Sequence, residues 1–183
     1  LYAPEIGGPA TYTAFLERHL PPQGVECVVV PFTHVRTYPK ILRHVIYLLT
    51  LLRNGKDVDC IYALDTVSVG VPACIASFIL RKKFMVRVPG DYAWEQGQQR
   101  FGVTDTLDLY LSSHTHPFPV RVLATVQATV ARRAKRVVVP SEYMKHVVTS
   151  WGIQPSKITR IYSALNPIVV NETKDTIRTK FGY

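Results

Sequence analysis

The sequence predicts a doubly wound α/β domain, in which helices cover both faces of a parallel sheet. Apolar runs of strand length alternate with longer helical patterns along the 183 residues. Several of these runs are continuously β-branched, as expected of strands that are covered on both faces. Strict alternation of this kind implies a parallel sheet with right-handed crossovers. A hydrophobic content of 47% argues against disorder and supports one domain with a proper core.

The predicted strands are short apolar runs and the predicted helices are longer amphipathic stretches. The strands are Val25–Pro31, Val58–Leu64, Phe84–Val88, Arg136–Val139 and Lys157–Tyr162. The helices are Ala10–Leu20, Lys40–Arg53, Val69–Arg81, Val120–Ala134 and Glu142–Trp151. Pro9 suits the first turn of the first helix, and Ser141 is a typical N-cap for the last one.

The loop ahead of the first helix contains two adjacent glycines, Gly7 and Gly8. Glycine lets a ligand approach the main chain closely, and the free amides of a helix N-terminus attract anions. The loop is therefore either a phosphate loop or a tight turn. A phosphate loop of this fold follows a central strand, yet only Leu1–Ala3 precede it. We expect the first strand to be truncated and the natural N-terminus to lie upstream, because a missing central strand leaves ladder groups unpaired.

The charge balance favours anionic partners. Twenty-two Lys and Arg against 13 Asp and Glu give a formal charge of +9, which suits nucleic acid, anionic lipid or phosphorylated ligands. The scattered cysteines Cys27, Cys60 and Cys74 are expected to be buried thiols. With no signal-peptide pattern and no apolar run of membrane-spanning length, the expected location is the cytoplasm.

The segment Lys40–Lys56 combines a Leu/Ile stripe with basic residues, and Arg36 lies just upstream. Such a helix could lie on an anionic bilayer, at the inner face of the plasma membrane. It could equally be a crossover helix that buries one face in the domain. Both interpretations are compatible with the sequence.

Four stretches together resemble one family: YAPEIGGPATY, VRVPGDYAWEQ, VVVPSEYMKHVVTSWGI and KITRIYSALNP. They are similar in order and spacing to the N-terminal domain of family-4 retaining glycosyltransferases with the GT-B fold. The resemblance implies a Rossmann-like, acceptor-side domain over residues 1–165, followed by the start of an interdomain connection at 166–183. The donor-binding C-terminal domain of such enzymes carries two glutamates with seven residues between them. No such pair occurs here, so that domain is expected to be absent.

The resemblance implies an enzyme that transfers a hexose from a nucleotide sugar to a hydroxyl acceptor with retention of configuration. The acceptor would be a glycan or a lipid-linked glycan, in the synthesis of cell-surface glycans, polysaccharides or glycolipids. No cofactor and no metal are expected, and the 183-residue chain alone is expected to be inactive. The alternative is a basic, non-catalytic nucleic-acid-binding module. Its only support is the charge of +9, because aromatic–basic interleaving and a helix-turn-helix signature are missing.

The resemblance also implies roles for individual residues at the donor side and at the reaction centre. Gly7, Gly8 and Thr11 fall on the loop that abuts the donor diphosphate. Many relatives have a His in the loop where this chain has Gly90 and Asp91. Asp91 is the candidate for contacting, and helping to deprotonate, the acceptor hydroxyl. A helix cap is the alternative for Asp91, and a plain helix start for Thr11.

The remaining candidates are acceptor or sugar contacts. Tyr92 and Trp94 could stack on a sugar face or pack as core aromatics. Ser141 and Lys145 could line the cleft, or could be a helix cap and a solvated surface cation. Candidates with the least sequence support are Glu5 and Tyr2. The six histidines show no metal-ligand spacing with cysteines or carboxylates; His114 and His116 lack an identifiable third ligand.

Overall fold

A computed structural model describes residues 7–113, 115–163 and 174–182. In this part of the chain, four parallel strands form one sheet in the order β1-β2-β3-β4. The strands are β1 Cys60–Ala63, β2 Lys83–Arg87, β3 Arg136–Val139 and β4 Ile158–Arg160. The register places Cys60 opposite Lys83 and Met85 opposite Arg136. The predicted parallel α/β fold is confirmed.

Eight helices are present in the described part of the chain. They are α1 Gly8–His19, α2 Lys40–Asn54, α3 Gly70–Ile79, α4 Tyr92–Arg100, α5 Leu107–Ser112, α6 Phe118–Arg133, α7 Glu142–Ser150 and α8 Lys174–Phe181. Short 3-10 turns lie at Pro21–Gln23, Phe32–Val35 and Pro155–Lys157. Because successive parallel strands need crossovers, α3, the α4–α6 segment and α7 connect them in turn.

The core lies between the sheet and the helices packed on it. Val86, Val137 and Val139 are completely inaccessible to solvent, as the β-branched runs predict for strands covered on both faces. A second, smaller cluster of Ala93 and Tyr110 with Val120 lies between α4, α5 and α6. Of the three free cysteines Cys74 is buried, whereas Cys27 and Cys60 are partly exposed.

Four of the five predicted strands and all five predicted helices are present, with ends shifted by a few residues. The sequence prediction missed α4, α5 and α8. The segment of α4, YAWEQGQQR, is mostly polar and has a glycine in its interior, so it lacks the apolar stripe of a surface helix. Its start is instead determined by a cap at Asp91.

The predicted strand Val25–Pro31 is wrong for the described part of the chain, where this segment has no regular secondary structure. A strand exists only where a neighbour completes its ladder, and no described segment pairs with this one. The carbonyl of Val30 instead accepts a 2.9 Å hydrogen bond from the hydroxyl of Tyr47 on α2. Val25 and Val28 are 47% and 62% exposed. The expected truncated strand at Leu1–Ala3 lies outside the described residues.

Candidate functional site

The carboxyl ends of the four strands lie along one edge of the sheet, which is where doubly wound domains place their ligands. The loops that start there carry Asp65 after β1, Asp91 after β2, Ser141 after β3 and Ser163 after β4. Helix α1 contacts this part of the sheet through Tyr12, whose ring lies against Arg87 at the end of β2. The Tyr12 hydroxyl lies 3.4 Å from that of Tyr62 in β1.

Within the described residues, the N-terminus of α1 presents backbone amides without a competing side chain. Gly7 is the N-cap, no side chain caps the helix, and no acidic residue occupies the first turn. The Thr11 amide bonds to the Gly7 carbonyl at 3.0 Å, while Pro9 has no N–H to offer. A Cβ added to Gly8 would meet no atom of the described residues within 4 Å, so within residues 7–113, 115–163 and 174–182 this glycine adjoins open space.

Thr11 is exposed, and its hydroxyl donates a 3.2 Å hydrogen bond to the carbonyl of Gly7. The side chain thus stabilises the first turn of the helix, which agrees with the helix-start interpretation. Binding of donor phosphate by Thr11 stays a prediction. It would require this hydroxyl proton to change its acceptor.

Asp91 is 1% exposed and is the N-cap of α4. Its Oδ1 accepts hydrogen bonds from the Trp94 amide at 3.0 Å and from Gln127 Nε2 at 2.9 Å. Its Oδ2 accepts one from Trp151 Nε1 at 3.1 Å. The helix-cap interpretation is confirmed. Its role in deprotonating an acceptor stays a prediction, and three protein donors on a buried carboxylate argue against it.

Glu95, in the first turn of α4, is a neighbouring carboxylate that the sequence reasoning missed. Its side chain folds back over Gly90, where a Cβ would lie 2.2 Å from Glu95 Oε1. The residue as a whole is exposed, yet partial desolvation of the carboxyl, aided by the charge of Asp91, raises the pKa of Glu95. The feature of the sequence that could have identified Glu95 is its position four residues after Asp91 of the PGD loop.

The two aromatic candidates have different surroundings. Trp94 packs on the cluster between α4 and α6, and its indole donates a 2.9 Å hydrogen bond to the Asp105 carbonyl. Tyr92 lines an open groove of about 380 Å³. The rest of the groove is Gln96, Arg100, Phe101, Phe118, Pro119, Val122 and Leu123. The packing interpretation therefore fits Trp94, and Tyr92 remains the candidate for a ligand contact.

Ser141 is the N-cap of α7, and its hydroxyl accepts a 3.1 Å hydrogen bond from the Met144 amide. The predicted cap is confirmed. Lys145 Nζ lies 3.8 Å from Glu142 Oε2 at the surface, and Glu142 also binds Arg160. Cleft roles for Ser141 and Lys145 stay predictions. Glu5, Tyr2 and His114 lie outside the described residues.

Arg87, at the end of β2, is the second residue of the site that the sequence reasoning missed. It is 5% exposed, its Nη2 donates to Ser163 Oγ at 2.9 Å, and its Cζ lies 3.6 Å from the ring centroid of Tyr12. Among the described residues no carboxylate forms an ion pair with it, and its buried Nη1 has no hydrogen-bond partner. Burial raises the pKa of the adjacent Tyr62 hydroxyl far above its usual range, so this neighbour stays neutral.

A protein-family model described as Glycosyltransferase Family 4 matches residues 6–167. The chain belongs to glycosyltransferase family 4. The match spans the glycine loop, all four strands and every loop of the carboxyl edge, so the resemblance seen in the sequence is confirmed. A glycosyltransferase acts on a sugar donor and an acceptor. A search of the curated proteins found no match.

In this glycosyltransferase domain, α2 buries one face and exposes another that is apolar. Tyr47 and Leu51 are buried in the core. The opposite sector exposes four aliphatic side chains: Ile41 (83%), Leu42 (46%), Val45 (48%) and Leu49 (59%). The structure confirms that the helix packs one face in the core, and binding of its exposed face to a bilayer stays a prediction. No helix in the described ranges combines the length and the apolar character needed to cross a bilayer.

Residues 7–113, 115–163 and 174–182 of the glycosyltransferase domain contain no group of His, Cys, Asp and Glu side chains that could hold a metal ion. His116 stacks on Tyr110 at 4.1 Å between ring centroids. His44 has its pKa lowered, first by burial and then by the charge of Arg43. In the described part of the domain, His116 therefore packs against an aromatic ring and His44 is partly buried.

Proposed function

We propose that this domain is the acceptor-side half of a retaining glycosyltransferase that moves a hexose from a nucleotide sugar to a hydroxyl acceptor. The observation that carries the proposal is the uncapped N-terminus of α1 at the carboxyl edge of the sheet. Backbone amides at that position complement the negative charge that develops on a departing diphosphate. The family match supports the class of reaction.

In this proposal the donor diphosphate lies against Gly7 and Gly8. No atom of the described part of the chain lies within 4 Å of a Cβ at Gly8, which leaves room there for phosphate oxygens beside the main chain. The first turn of α1 has no acidic side chain that would repel or replace the phosphate. Most of the donor's contacts would come from a second domain across the cleft.

The acceptor is assigned to the other side of the same edge. Tyr92 and the aromatic residues Phe101 and Phe118 give the groove beside α4 the apolar faces on which sugar rings or isoprenoid chains pack. Glu95, at the start of that helix, is an exposed residue whose partly desolvated carboxylate is able to accept a hydrogen bond from a sugar hydroxyl. Asp91 acts indirectly, by positioning α4.

We assign the exposed sector of α2 to an anionic bilayer, which would bring the domain to a lipid-linked acceptor. At 3.6 residues per turn, Ile41, Leu42, Val45 and Leu49 fall within about 100° of the helix circumference. The exposed cations Arg53 and Lys56 lie at its C-terminal end. An apolar strip with adjoining cations is the pattern of interfacial helices.

The test of the donor site is a titration of the chain with nucleotides that differ only in phosphate. We expect UDP or GDP to bind measurably more tightly than the corresponding nucleoside, because the diphosphate is the part this domain contacts. Equal, undetectable binding of nucleotide and nucleoside would contradict the proposal. Salt-sensitive binding to random DNA, unaffected by UDP or GDP, would favour the nucleic-acid-binding module instead.

A further inference from the structure

We propose that Arg87 is a positioning residue of the donor site: a buried cation beside Tyr12 of α1, without a carboxylate partner among the described residues, that raises the affinity of the Gly7–Gly8 loop for diphosphate. The inference rests on the proposed function, since it concerns the same loop. It assigns to this domain a positive charge of its own, in addition to its backbone amides.

The position of Arg87 follows from its contact with Tyr12. Tyr12 comes four residues after Gly8, which is roughly 6 Å along a helix axis. Side chains of a helix tilt toward its N-terminus, so the Tyr12 ring leans toward the glycine loop. The Arg87 guanidinium lies 3.6 Å from the centre of that ring. The cation is thus held close to the first turn of α1.

The charge of Arg87 is not neutralised by the described protein groups around it. Its hydrogen-bond partner Ser163 is neutral, and Tyr12 offers only the face of its ring. A buried charge without a counter-ion is unfavourable, and its attraction for a nearby anion is strong because little water screens it. An anion at the glycine loop would act as the counter-ion of Arg87. The free energy gained by pairing this buried charge would then contribute to the binding affinity of the anion.

A purely structural role is the competing explanation. Arg87 joins the end of β2 to Ser163, beyond β4, and could serve only to hold that segment. The two roles differ in what a lysine does at this position. Lysine keeps the charge but lacks the planar fork that binds Ser163 while stacking on Tyr12. A charge-based role is therefore preserved by Arg87→Lys, and a purely structural role is not.

The experiment is a calorimetric titration of the 183-residue chain with inorganic pyrophosphate. The variants are Arg87→Met, Arg87→Lys and the control Lys83→Met, which removes an exposed cation from the other end of the same strand. We expect Arg87→Met to weaken binding about tenfold or more, Arg87→Lys to stay within about threefold of the unaltered chain, and Lys83→Met to leave binding unchanged. The salt dependence of binding should also become shallower in Arg87→Met, because a charge has been removed.

Three results would overturn the inference: unaltered binding by folded Arg87→Met, an equal loss in Lys83→Met, or an equal loss in Arg87→Lys. If Arg87→Met does not fold, the test is made on the unaltered chain, by following the guanidinium ¹⁵Nε resonance of Arg87 in NMR spectra. This resonance should shift on addition of pyrophosphate, and an unchanged resonance contradicts the proposal. If UDP and pyrophosphate bind the unaltered chain and the folded Arg87→Met variant with equal affinity, the role of Arg87 is refuted but the donor site is not. Failure of the unaltered chain to bind either one removes the donor-site proposal as well.

Discussion

The carboxylate of Asp91 accepts a 3.1 Å hydrogen bond from the indole of Trp151, sixty residues further along the chain. This contact joins the loop after β2 to the end of α7. Gln127 of α6 bonds the same carboxylate and also accepts from the Ala93 amide. Asp91 is thus the common acceptor that fixes α4 against two other helices, and the groove beside α4 depends on it.

Replacing Asp91 with alanine should destabilise the fold strongly, because three donors, one buried and two partly buried, lose their acceptor together. A lost N-cap costs about 1 kcal/mol, and each buried unsatisfied donor about 1–3 kcal/mol. We expect Asp91→Ala to lower the free energy of unfolding by about 3 kcal/mol or more in urea denaturation. Ser141→Ala removes a cap from α7 and should lower it by only about 1 kcal/mol. Equal losses in the two variants would contradict the network.

Asp65 should make the fold less stable as the pH rises. Its Oδ1 accepts from the amides of Val67 at 2.8 Å and Val69 at 3.1 Å, but burial outweighs these bonds and raises the pKa of Asp65. Because the folded-state pKa is higher than the unfolded one, stability is greatest below the unfolded pKa. It declines until the pH has passed the folded pKa.

Asp65→Asn keeps an acceptor for the two amides and cannot ionise. We expect the urea midpoint of this variant to fall less between acidic and neutral pH than that of the unaltered chain. Glu95→Gln is the companion variant, since the pKa of Glu95 is raised in the same direction. A pH profile that is identical with and without Asp65 would show that its ionisation is not disfavoured by folding.

Two glycines with close neighbours should respond differently to alanine. A Cβ at Gly70 would lie 2.4 Å from the main-chain oxygen of Asp65, which cannot move without the backbone. A Cβ at Gly90 would meet only the flexible end of Glu95. We therefore expect Gly70→Ala to lower the free energy of unfolding by about 1–3 kcal/mol, and Gly90→Ala by less than about 1 kcal/mol while displacing the Glu95 carboxylate. The reverse order in thermal denaturation would contradict these packing assignments.

The exposed face of α2 predicts binding to anionic vesicles. Changing Ile41 and Leu49 together to Gln should weaken co-flotation with phosphatidylglycerol vesicles and leave thermal unfolding unchanged, because both side chains are exposed. Leu109→Gln alters an equally exposed leucine on α5 and should leave flotation intact. The cation part of the claim predicts the same weakening in Arg53→Gln. If the unaltered chain does not float with the vesicles even at low salt, the membrane-binding proposal is contradicted and α2 has only its packing role in the core.

Helices and strands with a regular hydrophobic pattern could be predicted from the sequence, because β-branched runs and amphipathic stripes indicate which side chains are buried. The strand Arg136–Val139 has the predicted bounds, and the caps at Ser141 and Asp91 follow from local residue chemistry. Val25–Pro31 has the same β-branched character, yet forms no strand in the described structure. Pairing depends on a neighbour that composition does not reveal.

The chemistry of the site was harder to predict, because it depends on contacts between distant residues. From the sequence, Asp91 is a candidate catalytic carboxylate. The structure shows that Gln127 and Trp151 donate hydrogen bonds to it. Arg87 looks like one more basic residue of a strand until its burial and lack of a carboxylate partner among the described residues are seen. Glu95 gains its significance only from its position over Gly90. None of these relationships is encoded by spacing along the chain.

The most direct test of the central claim compares two aspartates introduced into α1. Gly8→Asp places a carboxylate at the proposed phosphate site, and Ala14→Asp places one on an exposed position further along the same helix. An acidic residue in the first turn favours the helix, so Gly8→Asp should fold at least as stably as the unaltered chain. We expect Gly8→Asp to lose UDP and pyrophosphate binding and Ala14→Asp to retain it. Equal affinities in the two folded variants would contradict a diphosphate site at the N-terminus of α1.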